Sequence, residues 1–186
     1  MHWNLPNILT WGRIVAIPLV VVLFYLPFWW SDPAAGLLFA AASITDSLDG
    51  YFARRMGLTS RLGAFLDPVA DKLIVAVALV LLVSKDSHIV IVLLAAVIIG
   101  REIAISALRE WMAELGHRTK VAVSAIGKYK TILQMVGLSM MLYRHDILML
   151  PIYQMGLVLS LIAAVLTLVS MVMYLRAAWP ELRAQG

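Results

Sequence analysis

Four aspartates stand inside apolar stretches of this sequence. Asp46 and Asp49 lie in one apolar run and Asp67 and Asp71 in the next. Their i,i+3 and i,i+4 spacing sets each pair on one face of a helix. On membrane-insertion scales a carboxylate at a helix centre costs ~3 kcal/mol, so four without partners would cost on the order of 10 kcal/mol. Like charges that converge must protonate or bind cations. With no His or Cys beside them, all-oxygen ligation favours hard ions, Mg²⁺ or Mn²⁺. Four carboxylates suit two such ions roughly 3.5–4 Å apart, an arrangement that stabilises the attacking and leaving oxygens of a phosphoryl transfer. Gly50, Ala53 and Gly63 fall beside the acidic stripes, with Arg54 at the mouth. Small residues there let a bulky group approach the backbone, although in a membrane bundle they also serve simply to bring helices together.

The elements that must position these acids follow from composition. The chain has 186 residues, 62% hydrophobic and 14% charged, and no cysteine; its mean hydropathy is +0.91. That excludes an ordinary water-soluble domain, which carries about 25% charged residues. It also excludes disulfides, thiolate metal sites and a cysteine nucleophile. Apolar runs at about Ile14–Trp30, Ala34–Ala53, Gly63–Val83, Ile89–Leu108, Val121–Tyr143 and Ile152–Leu175 predict an all-α polytopic membrane protein of six transmembrane helices, since a lone span must satisfy its own backbone hydrogen bonds. A short N-terminal interfacial segment (1–13), the bundle (14–176) and a cytoplasmic tail (177–186) make one domain. The first run is longer than the apolar core of a signal peptide, which argues against cleavage.

Six spans place both termini on one side. Thirteen of the fifteen Lys and Arg residues fall on that side, and only Lys85 and Arg144 on the other. The positive-inside rule then makes the termini cytoplasmic, with Trp29 and Trp30 at the outer interface and Trp3, Trp11 and Trp179 at the inner one. The net charge of +4 is accounted for by topology; the basic residues form no stripe, so no nucleic-acid partner is expected. Spans two and three are consecutive and antiparallel, so all four acids can converge at their cytoplasmic ends. A cation transporter is the rival from another class, but transport sites tend to lie near the midplane of repeated halves, whereas these acids cluster at one end.

Written out, the pattern is Asp46-x-x-Asp49-Gly50-x-x-Ala53-Arg54, eight residues, then Gly63-x-x-x-Asp67-x-x-x-Asp71. It resembles the signature of the CDP-alcohol phosphotransferase family at all eight positions. The resemblance implies six membrane helices with cytoplasmic termini, a homodimer in the bacterial cytoplasmic membrane, and two divalent cations. It makes Asp46, Asp49 and Asp67 metal ligands and gives Asp71, beside the second metal, the role of base toward the attacking hydroxyl. Gly50, Arg54 and Ser60 would contact the CDP part of a CDP-diacylglycerol donor, with Ala53 and Gly63 beside it and Asn7 and Thr10 closing over the headgroup. The stretches Asn4–Thr10, Gly63–Lys72 and Arg101–Gly116 look most like members whose acceptor is sn-glycerol 3-phosphate. Siblings using inositol phosphate or phosphatidylglycerol share the metal site and remain the alternative.

A phosphorylated acceptor needs cations that are not already paired. Arg101 lies about two turns inside the fourth span, where an arginine needs an anionic partner; either a ligand or a structural pairing with Glu102 fits. Arg109 sits at the mouth. Lys128 and Lys130 are about 200° apart on a helix, so one of them faces the site; Lys128 is the expected one. His2, His88, His117 and His145 fall in loops or termini and read as solvated surface residues.

Overall fold

Each of the six apolar runs becomes one helix. A computed structural model describes residues 5–56, 61–114 and 125–184, with side chains over 11–45, 66–114, 129–176 and at Trp179. The helices are α1 Leu5–Tyr25, α2 Ser31–Met56, α3 Arg61–Lys85, α4 Ile89–Glu114, α5 Ala125–Tyr143 and α6 Ile152–Ala184.

The boundaries differ from expectation where local chemistry intervenes. The first run was expected to continue to Trp30, but α1 stops at Tyr25: Pro27 follows, and the residue before a proline is pushed out of the helical region. Ser31 then opens α2, its hydroxyl donating to the Leu26 and Phe28 carbonyls at 2.8 and 2.6 Å. The interfacial segment expected over 1–13 is not a separate element over its described part, because α1 runs through from Leu5. At the other end α6 continues past Leu175 to Ala184.

Contacts along the helices fix their directions. Arg13 of α1 meets Asp71 of α3, and Tyr25 meets Ser84, so α1 and α3 run parallel. Asp32 at the start of α2 binds Lys85 at the end of α3, and Gly36 lies against Tyr143 at the end of α5. The starts of α1, α3 and α5 and the ends of α2, α4 and α6 therefore share one end of the bundle. The opposite half is filled by a continuous apolar core that includes Phe24, Phe39, Leu79, Leu82, Leu138 and Leu142. Near the shared end a second, smaller apolar cluster of Ile105, Met112 and Tyr174 is buried among the described residues.

Among the described residues two helical stretches, Ile89–Glu114 of α4 and Ile152–Arg176 of α6, are long and apolar enough to cross a membrane, with mean hydropathy 2.4 and 2.5. Only 33% of each of their apolar windows is buried within the protein. A helix that is apolar all round yet buried on one side has lipid as the natural partner for the other.

α5 and α6 meet at two facing glycines. A Cβ at Gly137 would stand 2.8 Å from the Gly156 carbonyl oxygen and 2.9 Å from the Ser160 nitrogen, whereas one at Gly100 would meet nothing within 4 Å. Overpacking costs typically about 1–3 kcal/mol, more than the ~1 kcal/mol that Gly→Ala returns in helix propensity. Gly137→Ala should therefore lower the thermal midpoint in detergent, while Gly100→Ala leaves it unchanged or slightly raised. Equal midpoints for the two variants would contradict the close approach.

Candidate active site

The shared end holds a cavity of about 310 Å³ between α3, α4, α5 and α6. Its wall carries Asp71 and Lys72 from α3, Arg101, Glu102 and Arg109 from α4, Lys130 and Gln134 from α5, and Tyr174 from α6. The volume lies at the small end of ligand sites. Residues distant in sequence meet here because successive helices alternate in direction.

Arg101 is buried, 8% exposed. Its Nη1 donates to Glu102 Oε2 at 2.9 Å and its Nη2 to Ser170 Oγ on α6 at 3.1 Å. Both readings open from the sequence thus meet in one side chain: Arg101 pairs with Glu102, yet its buried Nε has no partner among the described residues. Lys130 Nζ lies 3.7 Å from the same Glu102 oxygen. One carboxylate therefore serves two buried cations. Arg109 rests over the Tyr174 ring, its guanidinium carbon 5.7 Å from the centroid, a cation–π seat that leaves its N–H groups available. Ser170 and Tyr174, one turn apart on α6, thus back the two arginines of α4. Such a cationic wall suits an anion, and the planar arginine forks suit phosphate oxygens.

Asp71 carries the other charge. Its Oδ1 accepts from Arg13 Nη1 at 2.7 Å, and the Arg13 side chain is 1% exposed against 36% for Asp71. Sequence reasoning counted Arg13 only toward topology. The signal that could have found it is the one that flagged Arg101, a guanidinium embedded in an otherwise apolar helix. Asp67, one turn before Asp71 on α3, is half-buried. Between them Pro68 lies inside the helix and has no N–H to give the carbonyl four residues back, so α3 lacks that backbone bond at the acidic stripe.

Asp46 and Asp49 lie on α2, and Gly50, Ala53 and Arg54 follow on the same helix. Their side chains, with those of Asn7, Thr10, Gly63 and Lys128, fall outside the described residues, as does Ser60 altogether. The backbone fixes their level: Ser43 Oγ is 3.5 Å from Met135 Sδ, Met135 lines the cavity, and Asp46 and Asp49 come about one and two turns further toward the shared end. Among the described side chains no three potential ligands gather. Asp67 and Asp71 supply the hard oxygen donors that a divalent cation of the expected kind takes. Of the two lysines of α5, Lys130 lines the cavity, while the side chain of the expected Lys128 lies outside the described residues.

The opposite end is built differently. Lys85 Nζ binds Asp32 Oδ1 at 2.7 Å and Arg144 Nε lies 3.8 Å from Asp32 Oδ2, so both basic residues there have an acidic partner. Asp86 accepts from the Tyr153 hydroxyl at 2.7 Å; this bond, then the His88 backbone N–H, holds its carboxyl below the usual carboxylate range.

The pattern that defines CDP-alcohol phosphatidyltransferases matches residues 3–175. The chain belongs to this family. It is similar to proteins from Shigella flexneri serotype 5b (strain 8401), Salmonella choleraesuis (strain SC-B67) and Escherichia coli (strain K12), each 51% identical over 185 residues covering 100% of both chains. All three are named CDP-diacylglycerol–glycerol-3-phosphate 3-phosphatidyltransferase. This member of the family is accordingly a transferase of phospholipid synthesis and a membrane protein, and the family works with divalent cations.

The Arg13–Asp71 pair can be tested without turnover. Arg13→Leu and Asp71→Asn should each lower the thermal midpoint, and the double variant should lose less than the two losses combined. The coupling expected for a contacting pair is on the order of 1–3 kcal/mol. Additive losses would separate the two residues.

Proposed function

We propose that the protein transfers the phosphatidyl group of CDP-diacylglycerol to sn-glycerol 3-phosphate, giving phosphatidylglycerophosphate and CMP. The observation that carries this reading is the small cationic cavity opening against Asp71, the residue the signature makes the base. A phosphate seated on Arg101, Arg109 and Lys130 leaves the other end of a three-carbon acceptor pointing toward the Asp71 carboxylate.

Asp71 takes the proton of the acceptor hydroxyl as its oxygen forms a bond to the phosphorus nearest the diacylglycerol. The bond from that phosphorus to the CMP oxygen breaks, and CMP leaves with the electron pair. Arg13 holds Asp71 Oδ1 and so fixes the carboxylate toward the cavity. Asp46, Asp49, Asp67 and Asp71 would hold two divalent ions, Mg²⁺ or Mn²⁺, which would supply neutralising charge to the diphosphate. Gly50, Ala53, Gly63, Arg54, Ser60, Asn7 and Thr10 receive the nucleotide. Ser170 and Tyr174 keep the two arginines in place. Because the cations are in position before the acceptor arrives, catalysis is mainly positioning and electrostatics.

In this reading the six helices span the bacterial inner membrane, with both termini and the cavity on the cytoplasmic side, and two copies pair. Two observations support that orientation: the excess of Lys and Arg on the terminal side, and the engagement of Lys85 and Arg144 by Asp32 at the opposite end.

The experiment is CMP release from CDP-diacylglycerol by purified protein across a panel of alcohols, with and without divalent ions. Turnover should require the ions and prefer glycerol 3-phosphate. Asp71→Asn should lose turnover by orders of magnitude, and Arg109→Ala should mainly raise the acceptor's KM. Equal rates in EDTA would remove the mechanism, and a preference for inositol phosphate would reassign the acceptor.

A further inference from the structure

Beside the cationic cavity lies a second space of different character, a groove of about 300 Å³ between α3 and α4. Its wall is almost wholly apolar, with Leu73, Ala76, Ile98, Ile99 and Ile103 among its residues. Lys72, Val75 and Glu102 line both spaces, so the groove continues the cavity across one row of side chains. Leu73 and Ile103 are exposed at 47% and 65%, which puts the groove's outer side at the surface of the bundle.

A polar cavity and an apolar groove that share a wall accept a molecule with two such parts. The cavity side offers Lys72 to an anionic head, next to the wall of Arg101, Arg109 and Lys130 that takes the acceptor's phosphate. The groove offers aliphatic side chains and almost no polar surface to a tail. A water-soluble acceptor has no use for the second space, and a bulk lipid without an anionic group has none for the first. From this continuity we infer that one acyl chain of the lipid donor lies between α3 and α4, entering sideways from the bilayer while its diphosphate reaches the acidic stripe. The inference rests on the donor proposed above. Lys72 and Glu102 mark the level at which head gives way to tail, and Ala76 is the small residue that keeps the groove open. Burial of apolar chain stabilises in proportion to its length, so the groove contributes to donor affinity and nothing to acceptor affinity.

Filling the groove should therefore separate donors by chain length. Ala76→Phe should raise KM for a dioleoyl donor at least tenfold while leaving KM for a dihexanoyl donor, and for glycerol 3-phosphate, within twofold. Equal shifts for both donors, or none, would overturn the inference. A binding measurement covers the case in which that variant does not fold. The chain has no cysteine, so Ile103→Cys can carry a single bimane label. Quenching by CDP-diacylglycerol with brominated acyl chains should saturate and be reversed by unbrominated donor. Linear quenching, equal to that by brominated phosphatidylcholine, or saturation by brominated phosphatidylglycerol as well, would contradict it. So would high-yield disulfide cross-linking of Ile103→Cys between copies, which would assign the groove to a second chain. If wild-type protein released no CMP from any donor, the activity would fall, whereas saturable quenching would still report the groove.

Discussion

Charge inside an apolar bundle has to be answered by charge, and the cavity end of this protein is organised by that requirement. A guanidinium as deeply buried as Arg13 is tolerable only with a partner, because its desolvation costs several kcal/mol. Asp71 is that partner, at 2.7 Å. The bond ties the start of α1 to the acidic face of α3. The same rule places Glu102 between Arg101 and Lys130 and Ser170 behind Arg101. Each of these contacts joins different helices except the Arg101–Glu102 pair, so satisfying the charges also fixes how α1, α3, α4, α5 and α6 meet.

The two ends of the molecule show the rule with opposite outcomes. At one end Asp32 engages both Lys85 and Arg144, and the neighbouring core is dry and continuous. At the other, two arginines and two lysines face one glutamate and one aspartate around a cavity. That excess of positive charge is what an anionic substrate completes. A donor with an anionic head and long tails also needs an apolar path, and the groove sharing Lys72, Val75 and Glu102 with the cavity provides one. Head and tail chemistry thus sit side by side on α3 and α4.

Much of this was legible in the sequence, for reasons that differ by residue. The six helices follow from apolar runs with short polar breaks, and the boundary error at Tyr25 came from giving apolar continuity precedence over Pro27. Asp67 and Asp71 were legible because a carboxylate in an apolar run is conspicuous alone. Arg101 was conspicuous in the same way. Arg13 was overlooked because it stands at the edge of its run and looked like an ordinary inside-positive residue. The choice between Lys128 and Lys130 depends on the rotation of α5 about its own axis, which weak periodicity in a largely apolar helix does not encode. Ser170 and Tyr174 acquire roles only through the packing of α6 against α4, a pairing no local pattern announces.

In the proposed mechanism carboxylates from α2 and α3 hold a pair of divalent cations at the cavity end of the bundle. Electron paramagnetic resonance of the purified protein titrated with Mn²⁺ tests it most directly, since two ions roughly 4 Å apart couple magnetically and an isolated ion does not. The account expects a coupled signal saturating at two ions per chain and reduced to one uncoupled ion or none in Asp46→Ala and Asp67→Ala. A spectrum of isolated Mn²⁺ at every loading, unchanged by those substitutions, would contradict it.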